Sequence, residues 1–331
     1  MKGAHQNMKN RVCEALGIEY PVIQGAMAWT AMAPLVGAVS EAGGLGVLGC
    51  GFMPGFIIEA QIAEIRKMTD KPFGANIFLD PGEQIEINCS TLEKVPVPVV
   101  YLDTLRLLEY DFAARYYERM KKTGAKVVAK VNCLQDGLVA AKAGADVIIA
   151  KGVEGGGHKA RISGRVLLAE LVENIKDVPI VASGGIYTAR QFASCVVGGA
   201  EGIEMGSAFL TAVEAPMHEN AKQAVLKAQD IDIVSCGECT GEPSWQIRNK
   251  LADELLKIEA ENPRDVAAKL LMEASRGSLA AASRDGDLDV GAVMTGQVCG
   301  LITEIKTVRN LVVDLCHETE ELLRKSYTLG L

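Results

Sequence analysis

The chain has 331 residues, 49% hydrophobic and 23% charged, enough to bury one large core with a smaller unit attached. Its formal net charge of −8, with no basic stripe, excludes a nucleic-acid binder, because a phosphate backbone requires a basic face. Nine scattered cysteines are too few for a disulfide scaffold and no apolar run approaches membrane-spanning length, so the expectation is a cytoplasmic globular protein with reduced thiols. Met1 to Asn7, followed by a second Met-Lys at Met8, reads as a leader without an apolar signal core.

In chain order, eight runs read as strands: 20–25 (YPVIQG), 45–50, 72–78, 97–102, 125–131, 145–151, 179–184 and 201–206. Each is continuously apolar, as in parallel strands covered on both faces. Helical stretches lie between them at 33–43, 54–69, 134–144 and 188–199, several ending in the glycine typical of a helix C-terminus. Eight strand–helix repeats in the first two thirds of the chain predict an α/β fold, a (β/α)8 TIM barrel. A doubly wound sheet would open with G-x-G-x-x-G after its first strand, and that strand here runs into QGAMAWTAM. GGLGVLGCG (43–51) imitates the fingerprint, but its glycines flank a strand, so it is read as a turn and a buried strand.

After Ser207 the rhythm changes. Residues 216–285 read as helices (MHENAKQAVLKA, SWQIRNKLADELLKIEAENP, PRDVAAKLLMEAS), apart from the short DIDIVS. The predicted organisation is a barrel over 1–212, a helical lid or insertion over 213–285, and a segment over 286–331 that returns to the barrel and closes with a helix at 307–326.

Residues at the C-terminal ends of barrel strands face the site. Those ends carry Gln24-Gly25-Ala26-Met27, Asn76, Lys130, Glu154 with Gly155-Gly156-Gly157-His158, Ser183-Gly184-Gly185, and Met205-Gly206-Ser207. Two glycine turns at successive strand ends, ASGGI and MGSAF, place backbone N–H groups where such barrels hold a phosphate, with Ser183 and Ser207 as further donors. No Walker lysine follows, which argues against a nucleoside triphosphate. Three glycines before His158 let the backbone lie against a planar ligand and bring the imidazole to it as a general acid/base or hydrogen-bond donor. Lys130, mid-strand in VVAKVN, is read either as a Schiff-base lysine or as a cation beside an electron-rich cofactor. Asn76 is read as a ligand contact or a cap on the barrel mouth, and Met27 with Trp29 as an apolar wall. Cys236 and Cys239 form C-x-x-C without a second pair, and the other histidines (His5, His218, His317) lie in the leader and in helical stretches, so no metal set is predicted.

YPVIQGAMAW, AVSEAGGLGVLG, KPFGANIF, GVEGGGH, PIVASGGI, EGIEMGSAF, RNKL and DGDLDVGAVMTGQ, in this order from Arg11 to Lys306, resemble the FMN-dependent barrel family of nitronate monooxygenases (2-nitropropane dioxygenases) and enoyl-acyl carrier protein reductase II. The resemblance implies FMN across the barrel mouth, with its phosphate at Ser183-Gly184-Gly185 and Gly206-Ser207. It implies ring contacts from Gly25, Ala26, Met27, Asn76, Lys130 and the segment around Gln297, and cofactor contacts from Glu154, Gly156, Gly157 and Met205. His158 matches the family's catalytic histidine. The reductase branch implies NADH or NADPH as reductant and an activated alkene such as an acyl thioester; the monooxygenase branch implies alkyl nitronates and dioxygen. A homodimer is the assembly expected. Two segments depart from the reductase pattern: YLDTLRLLEYDFAARYY replaces a glycine-rich turn after the fourth strand, and GSAF puts Ala208 where GTRF has arginine. Lys159, Arg161 and Arg165 are the candidate basic patch for an acyl carrier.

Overall fold

The computed structural model describes residues 10–327, so the leader Met1–Asn7 lies outside the described residues. All eight apolar runs form strands: β1 Val22–Gln24, β2 Leu45–Leu48, β3 Phe73–Phe78, β4 Val99–Asp103, β5 Lys126–Val131 and β6 Val147–Lys151, then, after a two-residue strand β7 Gly157–His158, β8 Ile180–Ser183 and β9 Gly202–Met205. Neighbours pair in parallel in chain order, leaving out β7, and β9 returns to β1 with Glu204 opposite Ile23, closing the barrel. The predicted helices are found at Ala33–Glu41, Gly55–Met68, Leu134–Lys142 and Ala189–Val197. The last begins in a capping box, Thr188 bonding the Gln191 backbone and Gln191 reaching back.

Strand parity decides what the barrel holds, since residues two apart share a face. Inward-facing Ile23, Leu45, Val47, Val99, Tyr101, Val128, Val147, Ile149 and Val181 form one interior cluster. The helix Arg11–Leu16 adds Val12, Cys13 and Leu16 to it and plugs the end where the strands begin. Asn10 caps that helix, its side chain accepting from Cys13 N at 3.1 Å. Continuing the same parity toward the strand ends turns the interior polar: Asp103 follows Tyr101, Lys130 follows Val128, Lys151 follows Ile149 and Ser183 follows Val181. A second, larger cluster fills the space between strands and helices. The approach is close at Gly46, where a Cβ would come within 2.2 Å of Val36 O; alanine there would push the helix Ala33–Glu41 off β2.

The segment after β9 departs from its helical reading at SWQI, while the exception made for DIDIVS coincides with a strand. Helices Glu219–Lys227, Lys250–Glu261, Arg264–Ala274 and Ser278–Ser283 are present, but β10 Ile233–Cys236 and β11 Ser244–Ile247 form an antiparallel hairpin. The pattern of SWQIRNKLADELL predicts a helix that starts before SWQI ends. Asn249 stops it: its side chain accepts from Ala252 N at 2.9 Å, so the helix begins at Lys250. Ser244–Ile247 instead finds a strand on each side, β10 and β7. A small core of Cys236, Leu251, Ala252, Leu255, Leu271 and Ala292 lies beneath this unit. Residues 285–305 are irregular apart from one turn at Gln297–Leu301, and the closing helix begins with a π-wound turn, Asn310–Asp314, before Leu315–Tyr327.

Candidate active site

A cavity opens where the barrel strands end. His158 lines it together with Gly25, Ala26, Met27, Asn76, Lys130, Gly156, Gly157, Ser183, Gly184, Gly185, Met205, Gly206 and Ser207. Two expected residues do not reach it. The Glu154 carboxylate turns to the start of the helix Gly164–Asn174, accepting from Gly164 N at 3.0 Å and Ser163 Oγ at 3.3 Å. It satisfies an unpaired helix N–H, which fixes the loop rather than a ligand. Gln297 is exposed, and Met294 and Val298 line that wall in its place. Trp29, expected beside Met27 in an apolar wall, is instead 44% exposed and lies against Arg284, whose Cζ is 5.7 Å from the ring centroid.

The floor holds a buried charge network that the sequence reading saw only in Lys130. Glu204 is the hub: Tyr101 Oη donates to its Oε1 at 2.5 Å, Lys130 Nζ to the same oxygen at 3.1 Å, and Ser183 Oγ to Oε2. Burial alone would raise the Glu204 pKa, but Lys130, Ser183 and Tyr101 outweigh it and hold the carboxylate below its usual range. Burial likewise disfavours the Lys130 cation, yet Glu204 and Asp103 keep it charged, its pKa above the ordinary value. So held, Lys130 lines the cavity as a cation. Ser183, expected to donate to a phosphate, donates to Glu204 instead.

Lys151 is different. It is 5% exposed, lines the cavity, and no carboxylate of the described residues lies within ion-pairing distance of it. Burial first, and the Lys130 charge second, push its pKa down to about 8 against the pull of Asp103 and Glu204. His158 is lowered too, by burial first and then by Lys151 and Lys130, so its imidazole is neutral at neutral pH. Lys151, Glu204 and Asp103 carried the signal that singled out Lys130, a charge in or at the end of an apolar strand run.

Glycines set the walls. A Cβ on Gly25 would lie 2.4 Å from Glu204 Oε1, one on Gly156 2.6 Å from Gly296 N, and one on Gly184, at φ +104°, 2.8 Å from Gly155 N. Gly296 N in turn donates to Ser207 Oγ at 2.9 Å, so the MTGQ segment packs against both the glycine run before His158 and the turn after β9.

A nitronate monooxygenase profile matches residues 9–318. The chain belongs to the nitronate monooxygenase family. A probable nitronate monooxygenase of Staphylococcus aureus is 27% identical over 334 residues, covering 89% of this chain and 93% of that one. The structure of FabK from Thermotoga maritima is similar at a TM-score of 0.90 and 34% identity, covering 97% of this chain and 99% of that one. Nitroalkane oxidase from Streptomyces ansochromogenes shares the fold at a TM-score of 0.80 and 23% identity, over 96% and 100% of the two chains. The chain is accordingly an FMN-dependent oxidoreductase on a TIM barrel.

The cavity fits that cofactor. Asn76 accepts from Gly51 N at 3.1 Å through Oδ1, while its buried Nδ2 has no partner, and neither has the buried Asp103 Oδ1. Buried polar atoms left over at a cavity wall are what a polar ring edge would satisfy. Of the C-x-x-C pair, Cys236 is buried and its Sγ accepts from Gln246 Nε2 at 3.2 Å. Among the described residues no helix is long and apolar enough to cross a membrane.

Proposed function

We propose that the chain is a reductase of activated alkenes, of the enoyl thioester class, that takes its electrons from NADH or NADPH. The observation that carries this is the likeness to FabK, an enoyl-acyl carrier protein reductase II, which at 34% identity and a TM-score of 0.90 extends through the insertion after β9. The apolar part of the cavity lining, Phe52, Phe78, Met217, Leu279 and Met294, agrees with an acyl substituent.

FMN, when bound, supplies the two-electron relay between nicotinamide and alkene. Gly184, Gly185, Gly206 and Ser207 would hold its phosphate, and Gly25, Ala26, Met27, Asn76 and Lys130 its ring. The protein's own part is charge and proton. Lys130 and Lys151 offset negative charge brought into a cavity of low polarity. His158, neutral and at the cavity edge, hydrogen-bonds the substrate through its one ring N–H and orients the proton that solvent supplies to the substrate carbon as hydride arrives at its neighbour.

A second reading, oxidation of alkyl nitronates with dioxygen, is favoured by the family profile and by the S. aureus relatives. In that reading the unpaired Lys151 cation meets the anionic nitronate. Anaerobic stopped-flow mixing of the holoprotein separates the two. Bleaching of the flavin band by NADH or NADPH, followed by reoxidation with an enoyl thioester, supports the reductase; bleaching by alkyl nitronates alone replaces it with the monooxygenase.

A further inference from the structure

One residue of the insertion hairpin holds both ends of the loop that carries His158. Trp245 Nε1 donates to Val153 O at 2.7 Å, before the glycine run. Beyond the run, Lys159 Nζ lies 4.7 Å from the centroid of the same indole. The main chain follows suit, with Trp245 opposite Gly157 and Ser244 opposite His158 in the β11–β7 ladder, and Lys159 N donating to Pro243 O at 2.7 Å. Lys159 is anchored further to Glu238 Oε1 at 2.8 Å and Ser235 Oγ at 3.4 Å, both supplied by the β10 side of the insertion.

The segment between needs this. Gly155-Gly156-Gly157 has no side chain with which to fix itself, and Gly157 sits at φ +73° with open space where a Cβ would be. Three glycines have the largest backbone entropy to lose, so the imidazole that follows is placed only as well as the ends of the loop are fixed. We propose that Trp245 is a positioning residue for His158, and that the hairpin after β9 serves to set the histidine against the cavity. This rests on the proton role proposed above for His158.

The test compares four FMN-loaded variants with the parent: Trp245→Leu, Trp245→Phe, His158→Ala and the Trp245→Leu/His158→Ala double. Amide exchange is read on the peptide spanning 152–160, and kcat and KM on whichever substrate pair turns over. Faster exchange in that peptide is expected for Trp245→Leu, with kcat down about tenfold or more, the scale on which misplacing a catalytic group acts, and KM much less changed. Trp245→Phe, which keeps the ring under Lys159 and loses the N–H donor, should fall between. The double variant should be no slower than His158→Ala alone, because a positioning residue has nothing left to position. Unchanged exchange in both tryptophan variants, or losses that multiply in the double, would overturn the inference. Should His158→Ala turn over normally, the proton role of His158 fails instead, and the exchange data alone then uphold or reject the clamp.

Discussion

Lys130 Nζ and Glu204 Oε1 meet at 3.1 Å across the barrel, from β5 and β9, two strands that do not pair with each other. The contact spans the floor of the cavity, so it fixes both the charge of the site and the distance between two walls. Glu204→Gln keeps the shape and leaves the buried Lys130 without its ion-pair partner, with only Asp103 left to offset its charge. Removing one partner of a buried ion pair costs about 3–5 kcal/mol, and a urea midpoint lowered by that energy divided by an unchanged slope is the expected result. The carboxylate lies below its ordinary range, so its contribution is present above the usual carboxylate pKa and is lost as pH falls through the lowered value. The gap between parent and Glu204→Gln should therefore close in acid; a gap that stays constant would remove the ion pair from the account.

Lys151 makes the opposite prediction. Its pKa is pushed from 10.5 down to about 8, so below that value the folded chain holds its proton less tightly than the unfolded chain and stability suffers. Lys151→Met should stabilise the protein at pH 7 by up to about 3 kcal/mol. The gain should shrink as pH rises through about 8 toward 10.5, where the parent's own lysine is neutral in both states. Denaturant midpoints at neutral and alkaline pH decide it; equal gains at both would mean that burial of charge is not what Lys151 costs. A residue kept despite such a cost points to use in the site, and the same variant should bind anionic ligands more weakly at neutral pH.

The barrel was legible because each strand is buried on both faces and so reads as an unbroken apolar run, with strand ends that fall where glycine and polar residues begin. The glycine turns and His158 were legible for the same reason, as breaks in that pattern. The charge network was half hidden. Asp103 and Lys151 each end a run and Glu204 interrupts one, yet parity matters only once neighbouring strands are in register, and that is a property of the closed barrel. Glu154 misled because its position beside the glycine run says nothing of its direction, and the orphan N–H of Gly164 claimed it. β11 was missed because SWQI is too short to show a period and becomes a strand only through β10 and β7.

His158→Ala should retain FMN, since the imidazole holds no wall residue in place, and lose turnover by about 10²–10⁴-fold, the usual worth of a side chain positioned for proton transfer. In the parent, the acid limb of the pH profile should lie below the ordinary histidine value of 6.5, because burial and then Lys151 and Lys130 disfavour the imidazolium. Removing the nearer-acting cation with Lys151→Met should move that limb to higher pH. A limb that does not move would show that the titrating group is not His158.

Gly206 offers the cleanest test of where a phosphate sits. Its backbone is at φ −113°, open to any residue, and an added Cβ would meet only Met27 Sδ at 3.7 Å. Gly206→Val should therefore fold with a midpoint within about 1 kcal/mol of the parent, while its branches fill the end of the cavity beside Ser207. Flavin content after purification should fall sharply. Gly184 cannot serve this purpose, because any side chain there strikes Gly155 N at 2.8 Å and damages the loop under His158 at the same time. A well-folded Gly206→Val that carries a full complement of FMN would place the phosphate away from the β9 turn.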